Sequence, residues 1–261
     1  MTAPKIFAPE YYPHMAALES ASWWNSGMRD LAARLLEAQS LPSAGAMLDV
    51  GCGSGQTMAW FRTLHPDWTT TGIDISPDGL SAAAAAGERV LEASALELPM
   101  PSASVDVVIT FDVLQHLPLA GGDRRALREM HRVLRPGGWL LIRTNAQAIP
   151  YSADDPTYSF HKYKSAELLE KLETAGFDVL RLGRVNALLG LAEIPRELAA
   201  RVRSKGGYAG LLATVTQRGI TWHVKRAWLR LEGSLVAAGF SLPFGRSHVV
   251  LARVRAGDQP T

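Results

Sequence analysis

The sequence predicts an α/β protein on a doubly wound, mostly parallel seven-stranded sheet, with a helical lead-in before the sheet and a helical insert before its last strand. Three observations predict it. From about residue 40 to Asn145, short β-branched runs alternate with amphipathic helical segments, as parallel strands with crossover helices require. Residues 105–110 form an apolar, β-branched run of strand length, the mark of a strand covered on both faces. A glycine-rich loop, Asp49-Val50-Gly51-Cys52-Gly53-Ser54-Gly55, stands between the first strand and its helix.

In chain order, the first strand covers residues 46–50, and a helix over 55–64 follows the loop. The second strand, 69–73, ends at Asp74, and Ser76-Pro77 open a helix with cap and proline in the favoured order. Residues 89–93 make a third, short strand. After the fourth strand comes a helix over 122–134. Its Leu127, Met130 and Leu134 recur at helical spacing, opposite Arg124, Arg125 and Arg128. Arg135-Pro136-Gly137-Gly138 is read as its stop, and 139–143 as the fifth strand. Strands over 177–184 and 247–254 complete the sheet. In such a sheet the ligand lies outside the carboxyl ends of the strands, where the strand order reverses.

A chain of 261 residues buries one substantial core. Its formal charge is +2, and no basic stripe interleaved with aromatics points to nucleic acid as a partner. The single cysteine, Cys52, excludes an internal disulfide and a cysteine metal cluster, and fits a cytoplasmic location. The dispersed histidines give no metal signal; Asp154-Asp155 reads as a turn or cap. No run of about 18 apolar residues predicts a membrane span, and the first ten residues do not read as a signal peptide.

The glycine spacing distinguishes two ligands. A dinucleotide loop follows G-x-G-x-x-G, whereas here the glycines alternate and Gln56 stands where that pattern wants a small residue. Asp49, two residues before the first glycine, repels a pyrophosphate and suits a positively charged amino group. Asp74 closes the second strand roughly 20 residues past the loop, the place of an acid that takes two ribose hydroxyls. A helix-capping aspartate is the competing reading, although Ser76 already offers a cap.

Four blocks, in order and spacing, then resemble the class I, Rossmann-like S-adenosylmethionine-dependent methyltransferases of the small-molecule and quinone type. They are residues 48–55, Gly72-Ile73-Asp74-Ile75, residues 93–101 leading into Val105-Asp106-Val107-Val108, and residues 131–138. The resemblance covers about residues 44–182; with one core expected from the length, the chain is read as a single methyltransferase domain over 1–261. Its parts are a helical lead-in over 1–40, a cofactor-binding core over 44–184, an insert or lid over 186–240, and the last strand over 247–255.

By position, the resemblance implies that backbone groups of Gly51, Cys52 and Gly53, with Asp49 behind them and Gly55 completing the turn, hold the methionine part of S-adenosylmethionine. Asp74 takes the ribose hydroxyls, Ile75 packs on adenine, Ser94 and Ala95 meet its edge, and Phe111 lines the channel near the methyl. The family commonly has an aspartate where this chain has Ser94, a neutral and weaker partner.

The expected reaction is methyl transfer to O, N or C of a small acceptor, the apolar insert favouring an apolar one, leaving S-adenosylhomocysteine. An isoprenoid- or quinone-type carbon methyltransferase is the alternative within the class. From other classes come an NAD(P)-dependent oxidoreductase and a catalytically silent cofactor-binding protein. His116, just after the fourth strand, is the first candidate base, with a structural helix histidine as the competing reading. His161 and Tyr163, near Tyr151 and Tyr158, follow the fifth strand, on the side that faces the acceptor. Trp23, Trp24, Tyr11 and Tyr12 either line the cleft or cover the sheet. Residues 196–203 form a basic amphipathic segment, read as a solvated face or a membrane contact. The oligomeric state is left open.

Overall fold

A computed structural model describes residues 22–147, 161–187 and 219–255. The expectations for Tyr11, Tyr12, Tyr151, Tyr158, Asp154-Asp155 and residues 196–203 fall outside these residues.

Helix α1 (Trp23–Glu37) opens the described chain, with Ser22 accepting from the Asn25 N–H as its cap. It leads to β1 (Ala46–Val50), α2 (Gln56–Leu64), β2 (Thr69–Asp74), α3 (Pro77–Ala85) and β3 (Val90–Glu92). Next come β4 (Val105–Phe111), α4 (Gly122–Val133), β5 (Leu134–Asn145), α5 (Ser165–Thr174), β6 (Phe177–Val185), α6 (Ile220–Ala237) and β7 (Ser247–Val254). The seven strands form one sheet in the order β3-β2-β1-β4-β5-β7-β6. Only β7 runs against its neighbours, so the sheet is mostly parallel, as expected.

Side-chain alternation along the strands feeds two cores. Leu48, Val50, Val108, Leu140 and Ile142 pack toward α4 and α5, with Leu127, Met130, Leu168 and Phe177. Met47, Val107, Ile109 and Leu141 pack the other way, with Leu35 of α1, Phe61 of α2 and Leu229 of α6. Strands covered on both faces read as apolar runs, which is why they were legible. Trp23, 5% exposed, belongs to that second core with Trp24 packed against it, so these tryptophans cover the sheet.

One boundary differs from expectation. The fifth strand begins at Leu134, five residues early, and takes in Arg135-Pro136-Gly137-Gly138. Leu134 already pairs with Val105, and a register shift follows between Val105 and Val107. Gly137, at φ +75°, makes the kink that lets the chain rejoin the ladder. The breaker residues bend the strand instead of delaying it.

Of the insert expected over 186–240, residues 186–187 and 219–240 are described, and α6 docks on α1 and β6. A Cβ on Gly27 of α1 would lie 2.6 Å from Leu229, and one on Gly183 of β6 would lie 2.3 Å from Val236. Arg226 and Arg230 pair with Asp30 of α1 at 3.0 and 3.3 Å.

His248 of β7 is fully buried, its Nε2 3.0 Å from the Tyr163 carbonyl. Burial above all, with Arg184 adding to it, pushes its pKa down to about 4. An unfolded histidine titrates near 6.5, so between about 6.5 and 4 the unfolded chain binds the proton more readily. Stability is therefore expected to fall as pH drops through that window, and His248→Gln to flatten the fall. Denaturant unfolding at stepped pH checks this; an unchanged slope in the variant contradicts it.

Candidate active site

The sheet order reverses between β1 and β4, so the segments leaving these two strands flank the crevice. After β1 the chain turns on Gly51, Gly53 and Gly55, at φ of +79°, +50° and +79°. Packing closes around two of them. A Cβ on Gly51 would lie 2.1 Å from Val113 Cγ2, and one on Gly55 2.7 Å from Glu88 Cγ. At Gly53 nothing lies within 4 Å of the added carbon. That glycine leaves open space where a ligand can reach the backbone.

The loop spends its donors inside the protein. The Gly51 and Cys52 N–H groups both donate to the Ile73 carbonyl, at 2.8 and 2.9 Å, and the Gly55 N–H to the Cys52 carbonyl at 2.9 Å. The Gly53 N–H donates to one carboxylate oxygen of Asp74 at 2.8 Å; the other accepts from the Ser76 N–H at 2.9 Å. Ser76 caps α3 through the Gly79 N–H, so Asp74 braces the loop and is not the helix cap. The expectation that backbone groups of Gly51, Cys52 and Gly53 grip the ligand narrows accordingly, because their N–H groups are engaged.

Carboxylates surround this turn. Asp49 is buried beneath it, 1% exposed, and the buried Glu88 carboxylate pairs with Arg62 behind Gly55. The Cys52 thiol registers their field: burial, then Asp49 and Asp74, push its pKa far up. A pyrophosphate site needs free N–H groups and positive potential. This one offers acceptors and negative charge, which suits a cationic amino-acid nucleoside with ribose hydroxyls to donate. S-adenosylmethionine has that chemistry, and the residues fit it.

Beyond Asp74, Ile75 is 62% exposed, an apolar side chain left bare at the carboxyl edge of β2. The Ser94 hydroxyl accepts from the Leu96 N–H at 3.2 Å, and Ala95 is buried beside it. Across the switch point, Phe111 ends β4 and Asp112 follows in the left-handed region at φ +60°.

Arg143 of β5 holds this edge. Its Nε lies 3.0 Å from Asp112 Oδ2 and its Nη2 binds the same oxygen. The guanidinium sits 4.9 Å from the Phe111 ring centre and reaches Asn25 of α1 at 3.4 Å. Sequence reading missed Arg143, Asp112 and Asn25; a lone arginine inside an apolar strand was the available signal, since a buried charge needs a partner.

The candidate acid–base residues gather at the same edge. His116 ends a short 3-10 helix, Leu114–His116, and is half-buried. The preceding Gln115 ties it to β5 through the Thr144 hydroxyl and Asn145 N–H, and accepts from the His161 N–H at 2.9 Å. Gln115 too was missed, its role being visible only in three dimensions. His161 Nε2 lies 2.8 Å from Glu167 Oε1, and its ring meets Tyr163 edge-on at 4.3 Å.

Tyr163 is enclosed, 1% exposed, with its hydroxyl 3.1 Å from both the Leu114 carbonyl and an Asp123 oxygen. Lys171 bonds Asp123 and, at 3.1 Å, Glu167. Asp123, His161, Tyr163 and Lys171, with residues 117–119, line a shallow hollow. Burial pulls the Asp123 carboxyl upward, but its bonds to Lys171, the Arg124 N–H and Tyr163 outweigh it and hold the pKa below the usual range.

The family described as "Methyltransferase domain" matches residues 48–142, the stretch that builds this edge. A protein of Encephalitozoon cuniculi named as a methyltransferase is 32% identical over 158 residues, covering 52% of this chain and 72% of that relative. The chain belongs to the class I, Rossmann-like S-adenosylmethionine-dependent methyltransferases.

Within the family, the Arabidopsis thaliana tRNA (carboxymethyluridine(34)-5-O)-methyltransferase is 35% identical over 130 residues, 50% of this chain and 29% of that protein. The 27-O-demethylrifamycin SV methyltransferase of Amycolatopsis mediterranei is 38% identical over 118 residues, 42% of each chain. The chain thus spans 29% and 42% of the lengths of these two relatives. The crystal structure of the [4+2]-cyclase SpnF shares the fold at a TM-score of 0.64, 21% identity and 98% coverage of both chains. Membership of this family sets aside the NAD(P)-dependent reading, in agreement with the spent loop donors.

Proposed function

We propose that this chain transfers the methyl group of S-adenosylmethionine to O, N or C of a small, apolar metabolite. The acceptor-lined, negatively charged glycine turn carries the reading. When bound, the cofactor supplies an electrophilic methyl on sulfur and leaves as S-adenosylhomocysteine.

The chain's own residues position and enclose. A carboxylate offers about four lone-pair sites, so Asp74 holds the loop and Ser76 and still accepts from ribose hydroxyls. Asp49 faces the amino end from below, Ile75 covers one face of adenine, and Ser94 with Ala95 bounds its edge. Phe111, fixed by Arg143, lines the approach to the methyl. Alignment of that kind supplies much of the rate of an in-line displacement.

Where the acceptor bears a proton, His116 takes it up; His161, oriented by Glu167, is the second candidate. The enclosed Tyr163 hydroxyl serves as a wall. A small acceptor accords with the scattered surface charge and with the relative named for demethylrifamycin. The relative named for tRNA marks the other substrate class to test.

Incubation with methyl-labelled cofactor, over a panel of apolar hydroxylated, amino and quinone-type compounds and bulk tRNA, separates these readings. Label is expected in a small apolar compound, and His116→Gln should slow its transfer by roughly 100-fold. Label in tRNA alone overturns the small-molecule reading; full rate in the variant makes His116 structural.

A further inference from the structure

Helix α6 is apolar on two opposite sides. Its inner side, with Leu229, Gly233 and Val236, is sealed against α1 and β6. Its outer side bears Ile220, Val224, Trp228, Leu231 and Leu235, which are 85%, 61%, 36%, 51% and 38% exposed. Steps of four, four, three and four residues keep them in one ridge along a helix about 27 Å long. Phe240, just past its end, is 65% exposed.

Cations border this ridge. At the helical angle of about 100° per residue, Lys225, half-buried with its ammonium 5.4 Å from the Trp23 ring centre, lies on one flank and Arg230 on the other. Arg34 of α1 reaches the Ser234 hydroxyl at 2.9 Å, and Arg181 of β6 reaches the Ala237 carbonyl at 3.3 Å. The acid of the helix, Glu232, is turned inward: 2% exposed, it accepts from the Asn186 N–H and the Trp228 indole at 2.7 and 2.8 Å. Among the described residues, Asp30 is the carboxylate paired with cations of α6, bound to Arg226 and Arg230. The rim of the ridge is therefore positive.

A protruding apolar ridge with aromatics and a diffuse basic rim matches a deformable anionic surface better than a shaped protein groove. We propose that α6 docks the protein on an anionic lipid membrane, the ridge at the acyl boundary and Lys225 and Arg34 at the headgroups. No helix among the described residues is long and apolar enough to cross a membrane, so α6 would lie along the surface. This goes beyond methyl transfer and does not depend on it.

Cosedimentation of the full chain with vesicles tests it, using equal parts phosphatidylglycerol and phosphatidylcholine against pure phosphatidylcholine. Binding to the mixed vesicles is expected, weaker by about tenfold on the neutral ones and in roughly 1 M salt. Val224→Glu and Leu231→Glu, on solvent-facing positions, should abolish it with an unchanged circular dichroism spectrum and thermal midpoint. Lys225→Gln with Arg34→Gln should weaken it while leaving the ridge intact. No binding to the mixed vesicles overturns the proposal. So does binding untouched by the ridge variants, or a dimer in sedimentation equilibrium that Val224→Glu dissociates while vesicles stay bare.

Discussion

Gly53→Leu is expected to weaken S-adenosylhomocysteine binding by at least about 100-fold, or roughly 3 kcal/mol, while the protein stays folded. The expectation comes from the contrast among the three glycines. A side chain at Gly51 collides with Val113 and one at Gly55 with Glu88, so substitution there disturbs the fold itself. At Gly53 the added carbon meets nothing, and the folded state bears only the left-handed φ, about 1–2 kcal/mol. The side chain then fills the space assigned to the methionine part. Calorimetric titration beside denaturant unfolding checks both halves. Unchanged affinity in the folded variant would place the ligand elsewhere.

Lys171→Met is expected to destabilise the fold by about 3 kcal/mol, because it leaves two partly buried carboxylates without their cation. Asp123 and Glu167 both face Lys171. Burial disfavours the charge on Glu167, but its bonds to His161 and Lys171 prevail and lower its pKa. Both acids therefore add stability above the ordinary carboxylate range that is lost as pH falls through their depressed values. The variant should lose that acid-side dependence as well. Denaturant unfolding of Lys171→Met and of the double variant Asp123→Leu with Lys171→Met measures the effect. The double variant should recover part of the loss, and a loss below about 1 kcal/mol in the single variant would make the cluster a surface pair.

The strands were legible because a doubly covered sheet writes its burial into local apolar runs, as at Val107, Val108 and Ile109. The glycine turn and Asp74 were legible because their spacing is local too. At β5 the local signal misled: Pro136-Gly137-Gly138 breaks a helix, yet pairing with β4 on both sides of the kink, at Leu134 and Trp139, keeps the chain in the strand. Arg143 with Asp112, and Gln115 with Thr144 and His161, join segments about thirty residues or more apart, which periodicity does not register. The loop's hydrogen bonds were hidden for the same reason. Spacing shows where a ligand approaches, and only the Ile73 and Asp74 contacts show that N–H groups are no longer on offer.

The central claim is that an acceptor-lined turn between β1 and α2 selects a cationic amino-acid nucleoside over a dinucleotide. Calorimetric titration of the whole chain with S-adenosylmethionine, S-adenosylhomocysteine and NADH tests it most directly. Saturable binding of the first two and none of NADH is the predicted result. Binding of NADH, or failure of both S-adenosyl compounds to bind the folded protein, would contradict it.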